Sequence, residues 1–228
     1  MTGVEWQIIW LSLKVGGVAV LAALPLAFWL AWLLARGRFP GKVLLDGIIH
    51  LPLVLPPVVT GWLLLLAFAP GGPIGRVTEM LFGTTVLFRW TGAAIAAGVM
   101  ALPLMVRAIR LSIEAVDRRL EEAARTLGAS PARTFWRITV PLALPGMLAG
   151  LVLGFARALG EFGATITFVS NIPGETRTLP LAIYTALQSP DGEAMVLRLA
   201  LVSVVIALAA LVGSELLARR AGRGIHVL

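Results

Sequence analysis

The sequence contains no cysteine and little charge, and these two shortages exclude several classes of protein. Without cysteine there is no disulfide framework and no thiolate for metal or redox chemistry. Only 14% of the residues are charged, whereas a soluble domain carries about 25%. The apolar fraction of 58% and the mean hydropathy of +0.92 instead predict a protein whose bulk lies in a lipid bilayer.

Lysine and histidine are also scarce, which bears on catalysis. The only lysines are Lys14 and Lys42, and neither lies in the G-x4-G-K-[ST] pattern that binds ATP phosphates. The histidines, His50 and His226, are far apart in the sequence and are interpreted as structural or interfacial residues. Since no set of nucleophile, base and acid is present, we expect a chain that is not an enzyme and that binds no cofactor or metal.

Five apolar segments approach the length of about 20 residues that a spanning helix needs. They are Val15–Ala35, Gly47–Ala69, Trp90–Val106, Ile138–Val169 and Leu199–Ser214. The first could begin as early as Trp6. Because the acidic residue Glu5, and no basic stretch, precedes this run, we expect no cleavable signal peptide. The segments predict an all-α polytopic membrane protein with about five spanning helices.

The basic residues indicate an orientation. Of the 19 basic residues, 13 lie in three segments that five alternating spans would place on one side of the membrane. They are Arg36, Arg38, Lys42, Arg107, Arg110, Arg118, Arg119, Arg125, Arg133, Arg137, Arg219, Arg220 and Arg223. The positive-inside rule makes this side cytoplasmic, with the N-terminus outside and the C-terminus inside. A nucleic-acid-binding protein would instead cluster its charge on a soluble face.

The predicted cytoplasmic loop at about residues 112–137 should contain an amphipathic helix. Its apolar residues recur at spacings of three and four and share one face, and charged residues take the other. The apolar set is Val116, Leu120, Ala123, Ala124 and Leu127, and the charged set is Asp117, Arg118, Glu121, Glu122 and Arg125. Gly128 should end this helix, and Ser130-Pro131 should begin another. Composition alone fits either a surface-lying helix or a docking element.

The spacing within this loop resembles a known signature. Glu122-Ala123-Ala124, Gly128 and Ile138-Thr139-Val140-Pro141 are similar to the EAA-x3-G-x9-I-x-L-P motif of permease subunits of bacterial ABC importers, with valine in place of leucine. The resemblance implies a type I ABC importer transmembrane domain over residues 1–228, with a core of about 8–218. It also implies a cytoplasmic coupling helix that docks on a partner ATPase, which hydrolyses the ATP. The implied ATPase-coupling residues are Glu122, Ala123, Ala124, Gly128, Ile138 and Pro141.

The fourth segment contains both small and charged residues. Gly146, Gly150 and Gly154 share a helix face with Ala158, which favours helix packing over a substrate groove. Arg157 and Glu161 are four residues apart and can pair across one helical turn, which favours a structural or gating ion pair over direct substrate contact. The candidate pathway or gate residues are Arg157, Glu161, Thr165 and Thr167.

Further stretches narrow the resemblance. Residues 155–165 look like the sulfate/molybdate branch of these permeases, and residues 50–57, 103–110 and 171–180 resemble molybdate permeases in particular. The resemblance implies a permease subunit of an ATP-driven molybdate importer in the bacterial cytoplasmic (inner) membrane. Its partners would be a second copy of itself, two cytoplasmic ABC ATPase subunits and an extracytoplasmic molybdate-binding protein.

Several alternatives stay open on the sequence alone. The substrate could be tungstate, sulfate or phosphate, and a stand-alone secondary transporter or a non-transporting scaffold is less favoured. A secondary transporter would be expected to contain inverted repeats, which the sequence does not reveal, and a scaffold does not predict the EAA motif. Pro52, Pro56 and Pro57 should kink the second span, either for packing or as a pore-lining break. Residues 181–188 could form a helix on the membrane surface.

Overall fold

The computed structural model describes residues 1–83 and 85–223, and within them every regular element is helical. His226 and its predicted structural role lie outside the described residues. The helices are α1 (Gly3–Arg36), α2 (Lys42–Val54), α3 (Pro57–Phe68), α4 (Pro73–Phe82), α5 (Trp90–Ala115), α6 (Arg118–Thr126), α7 (Pro131–Thr134), α8 (Val140–Leu159), α9 (Gly163–Val169), α10 (Leu179–Leu187) and α11 (Glu193–Arg223), with a π-helical turn (Phe135–Thr139) between α7 and α8.

Four helical stretches in the described part of the chain are long and apolar enough to cross a membrane. They are α1, α5, the run Pro131–Leu159 that joins α7 to α8, and Glu193–Gly213 of α11. The pair α2 and α3 is a fifth candidate, bent by 114° at its break. The prediction of an all-α polytopic membrane protein is therefore confirmed.

The second predicted span is broken rather than continuous. α2 passes through Pro52 and ends at Val54, and α3 begins with Pro57 at its first position. Leu55 and Pro56 are extended because proline donates no helical hydrogen bond and disfavours the α conformation in the residue before it. The proline kink that we expected is a complete break, and it is packed: the side chain of Pro57 lies against Gly163 of α9.

The bent pair connects the two ends of α5. At the start of α2, Asp46 Oδ2 lies 3.1 Å from Arg110 Nη1, near the C-terminal end of α5. Beyond the bend, the ring of Phe68 packs 5.5 Å from that of Phe168 in α9. The next residue, Val169, lies against Gly92 at the start of α5. The pair thus contacts the surroundings of both ends of α5, as expected of a broken span.

Small residues allow the central helix α5 to pack closely against α8. Gly150 faces the side chain of Ile109, and a Cβ placed on Gly154 would lie 2.7 Å from Met105. Gly146, Gly150, Gly154 and Ala158 are all buried. This confirms that the glycine stripe is a packing face, because small residues permit the close approach of membrane helices.

Two other span boundaries differ from the sequence-based expectation. α5 continues to Ala115 rather than ending near Val106, since Asp46 and Glu114 pair with Arg110 in its last turns. The fourth span does not run to Val169: α8 ends at Leu159, and the short helix α9 follows a turn. The carboxylate of Glu161 stabilises that turn by accepting a hydrogen bond from the N–H of Ala164 at 2.8 Å.

The helix expected near residues 181–188 is present as α10, and it is packed against other helices. Leu181 is fully buried, and the helix packs against α1 and α11. The hydroxyl of Ser12 in α1 accepts a hydrogen bond from the N–H of Leu179 at 2.7 Å, which fixes the start of α10. The helix itself is therefore confirmed and is packed against its neighbours, and its place at the membrane surface stays a prediction.

Candidate functional site

The segment that resembles the EAA signature folds as a helix, a sharp turn and a second helix. Asp117 caps α6 by accepting a hydrogen bond from the N–H of Arg119 at 2.9 Å. Gly128 follows the helix in the left-handed conformation, with φ of +85°. The hydroxyl of Ser130 then caps α7, whose first residue is Pro131. The roles expected of Gly128 and Ser130-Pro131 are confirmed, whereas α6 starts later than expected because α5 continues to Ala115.

The apolar residues of α6 face outward. Leu120 is 50% exposed and Leu127, just after the helix, is 88% exposed. Ala123 is exposed as well, and none of the nine described residues of α6 is buried. Exposed leucines at the end of a bundle, among polar residues, are typical of a surface that another protein covers.

Glu121 does not lie on a solvent-facing side as the helical pattern suggested. Its Oε1 accepts hydrogen bonds from Arg36 Nη2 at 3.0 Å and from the Thr139 hydroxyl at 2.9 Å. Arg36 also donates to the carbonyl of Val116 at 3.3 Å. This network is what sequence reasoning missed, because Arg36 and Glu121 are 85 residues apart and the helical periodicity of α6 contains no information about α1.

The six predicted coupling residues fall into two places. Glu122 and Ala123 are exposed within α6, Gly128 is exposed in the turn after it, and Ala124 is half-buried in the helix. Further along the chain, Ile138 is half-buried in the π-helical turn and Pro141 is exposed at the start of α8.

A polar cavity of about 330 Å³ lies between these two places. It is lined by Trp32 and Arg36 of α1, by charged residues of α6, and by residues of α7 and the π-helical turn, including Phe135. The ring of Phe135 packs edge-on against Trp32 at 5.8 Å and against Phe28 at 5.9 Å. The π-helical turn is therefore held against α1 by aromatic contacts as well as by the polar network around Glu121.

The four candidate pathway or gate residues lie on either side of the break between α8 and α9, with Thr165 and Thr167 in α9. Arg157 Nη1 lies 2.6 Å from Glu161 Oε2, and the Glu161 side chain is 1% exposed. Thr165 is buried, and the hydroxyl of Thr167 donates to the carbonyl of Gly163 at 2.9 Å. The predicted ion pair is present, although Glu161 lies in a turn rather than in a continuous helix.

An apolar cavity of about 510 Å³ lies beside this break, between α8, α10 and α11. Leu159, Gly160 and Phe162 contribute to its wall together with Tyr184 of α10. None of the four candidate gate residues is among the residues that line this cavity.

Comparison with known proteins defines the class. Residues 23–223 match the family described as binding-protein-dependent transport system inner membrane component. The chain belongs to this family, so it is a membrane transport protein rather than an enzyme.

Individual relatives are similar over nearly the whole chain. The chain is 58% identical over 227 residues to the molybdenum transport system permease protein ModB of Escherichia coli (strain K12), with 98% of this chain and 99% of that protein covered. It is 57% identical over 210 residues to ModB of Haemophilus influenzae, with 92% of each covered.

A solved structure shares the fold. A chain of the bacterial alginate ABC transporter, in complex with an alginate pentasaccharide-bound periplasmic protein, superposes with a TM-score of 0.75 at 19% identity, covering 96% of this chain and 80% of that one. At this identity the likeness shows the fold alone, which is that of an ABC importer's transmembrane domain.

Proposed function

We propose that this chain is the membrane-spanning permease subunit of an ATP-driven molybdate importer in the bacterial cytoplasmic membrane. The observation that carries the proposal is the 58% identity to a molybdenum permease over 98% of the chain. At that identity and coverage the translocation pathway is expected to carry the same class of substrate. Residues 1–228 would then act as one permease domain.

The docking site for the ATPase would be the exposed end of α6. The apolar surface formed by Leu120, Ala123 and Leu127 supports this, because it has no partner within the described part of the chain. Gly128 provides a turn that a Cβ would strain. Glu122 and Ala124, with Ile138 and Pro141, would complete the coupling region. ATP would be hydrolysed by two partner subunits.

A second copy of this chain would complete the pathway. The spanning part of α11 exposes about half of its apolar residues in one chain, including Leu197, Leu201 and Val205. α2 does the same at Val43, which is 87% exposed, and at Val54, which is 82% exposed. Lipid and the second copy would cover these faces, and the pathway would run between the copies. An extracytoplasmic binding protein would deliver molybdate.

The proposed orientation places α6 in the cytoplasm. Arg36, Arg110 and the basic residues of α6 gather at one end of the bundle, as the positive-inside rule requires of the cytoplasmic end. Counted as one broken span, α2 and α3 would bring the number of spans to five. An odd number supports an N-terminus outside and a C-terminus in the cytoplasm.

We further propose that Arg157 and Glu161 form a gate at the break between α8 and α9. Together they are neutral, which limits the cost of placing charge in the membrane. When the pair separates, Arg157 would present a positive charge to an oxyanion, and Thr165 and Thr167 would lie close by. Tungstate, a tetrahedral dianion of similar size, would be expected to use the same route.

The test is transport by the purified complex in liposomes. Co-purified ATPase and added binding protein should give molybdate uptake that requires ATP, and ATP hydrolysis that molybdate stimulates. Uptake driven by sulfate-loaded but not molybdate-loaded binding protein would reassign the substrate. Uptake by this chain without any ATPase would favour the stand-alone secondary transporter.

A further inference from the structure

We propose that Arg36, Glu121 and Thr139 form a latch that ties the coupling helix α6 to α1 and to the start of α8. Movement of α6 by the ATPase would then displace both spanning helices together. The proposal rests on the function proposed above. It assigns a positioning role to residues that are not fixed positions of the EAA signature, and not a contact with molybdate or ATP.

A single carboxylate oxygen of Glu121 connects α6 to both partners. Glu121 Oε1 accepts from Arg36 Nη2 at 3.0 Å and from the Thr139 hydroxyl at 2.9 Å. The Arg36 and Glu121 side chains are only 13% and 17% exposed, so water competes weakly for these charge-assisted hydrogen bonds. The same guanidinium reaches the carbonyl of Val116, which directly follows α5. The network therefore joins the ends of α1 and α5 to α6 and to the π-helical turn.

Glu121 is the main attachment of α6 to the rest of the protein. Among the described residues, it is the only member of α6 whose side chain forms a hydrogen bond or ion pair with another element. Ala124 is half-buried, and the other seven residues of the helix are exposed. A helix with so little packing transmits force only through its connecting segments and through Glu121.

The second partner of Glu121 lies in the irregular turn that leads into α8. Thr139 ends the π-helical turn Phe135–Thr139 and is 3% exposed. π-helical turns are less regular than α-helix and are frequent at functional sites. A hydrogen bond at this point can pull on the start of α8 without unwinding the helix, and the contacts of Phe135 with Trp32 and Phe28 keep the turn against α1.

The experiment measures molybdate transported per ATP hydrolysed in the reconstituted complex. Arg36→Gln and Glu121→Gln each remove one charge of the latch and leave the exposed face of α6 intact. We expect the ATPase to remain bound and active while the transport ratio falls by about tenfold, within the usual range of coupling free energies. Thr139→Val removes one hydrogen bond and should lower the ratio by about threefold.

Arg38→Gln is the matched control. It removes the same charge two residues away from Arg36, and Arg38 is exposed and forms no ion pair with any described residue. Its ratio should equal that of the wild type. The exchanged pair Arg36→Glu with Glu121→Arg should recover part of the loss, since the charges are complementary again.

If the three latch residues had a purely structural role, the experiment would give a different result. If the variants reduce the amount of complex but leave the ratio per complex unchanged, the latch proposal is wrong. If Arg36→Gln fails to assemble, Thr139→Val and the exchanged pair decide, and a wild-type ratio in an assembled Thr139→Val complex overturns it. Absence of ATP-driven molybdate uptake in the wild type would contradict the proposed function instead.

Discussion

Two arginine–glutamate pairs in this protein have similar contact distances but differ in burial and in the separation of their residues along the chain. In each pair a shielded glutamate lies within 3.0 Å of a guanidinium and accepts a hydrogen bond from another residue. Arg157 and Glu161 are four residues apart, and their ion pair stabilises the turn between two consecutive helices. Arg36 and Glu121 are 85 residues apart and join helices that are distant in the chain.

These differences predict whether each pair contributes mainly to folding or to coupling. The pair at the α8–α9 break has the more deeply buried carboxylate: the Glu161 side chain is 1% exposed against 17% for Glu121, while Arg157 at 25% is more exposed than Arg36 at 13%. Its loss should therefore be dominated by the cost of a buried, unpaired charge. The pair at α6 makes α6 and α1 move together in the proposed cycle, so its loss should affect coupling more than folding.

The largest effect is expected from Arg157→Met, which keeps the length of the side chain but leaves Glu161 buried without its partner. Breaking a buried pair in this way costs about 3–5 kcal/mol. The variant should lose most of its folded fraction in detergent, measured by thermal unfolding followed by size-exclusion chromatography.

The control at this site is Glu161→Gln, which retains an acceptor for the Ala164 N–H and carries no charge. It should be destabilised clearly less than Arg157→Met. Equal stability of Arg157→Met and the wild type would show that the buried pair contributes nothing to stability, which would contradict the comparison.

Arg36→Met comes next. Hydrogen bonds to a charged group contribute about 1.5–3 kcal/mol each, and partial exposure lets water replace some of that, so we expect a loss of about 2 kcal/mol. Thermal unfolding of the purified chain measures it, with Arg38→Met as the exposed control. A loss as large as that of Arg157→Met would indicate that burial does not separate the pairs.

Whether a structural feature could be predicted from the sequence depends on how far apart in the chain the interacting residues are. Gly128 and Ser130-Pro131 were placed correctly because turn and cap preferences are local. The Arg157–Glu161 pair was found for the same reason, since both residues lie within one turn.

The features that were missed depend on contacts between distant segments. Glu121 turns toward the bundle because Arg36 is there, and α5 continues to Ala115 because Asp46 of α2 pairs with Arg110. The end of α8 was missed because an apolar run of residues 138–169 gives no sign that Glu161 will cap a new helix. Hydropathy measures suitability for the bilayer and not helical continuity.

Gly128→Val tests whether the position of α6 matters independently of its latch. A left-handed conformation costs a residue with a Cβ about 1–2 kcal/mol, so the turn after α6 should reshape while the spanning helices stay intact. The variant should insert into the membrane normally but lose co-purified ATPase.

The matched control is Gly47→Val. Gly47 is exposed in α2, has right-handed backbone geometry, and a Cβ there would meet no other atom within 4 Å. It should retain the ATPase. Normal ATPase association in Gly128→Val would contradict the docking role of α6 and leave the Arg36–Glu121 pair as a structural contact only.

The smallest effect on stability is expected from Glu114→Gln. This variant tests whether the strength of an ion pair depends on the spacing of its residues or on their burial. Arg110 and Glu114 share the spacing of four found in Arg157 and Glu161, and Arg110 Nε lies 2.8 Å from Glu114 Oε1. Their side chains, however, are 28% and 40% exposed, and Arg110 keeps Asp46 as a second partner. Exposed pairs at this spacing contribute about 0.3–0.5 kcal/mol, so thermal unfolding should shift barely above error. A loss that approaches that of Arg157→Met would mean that spacing along the helix, and not exclusion from water, sets the strength of these pairs.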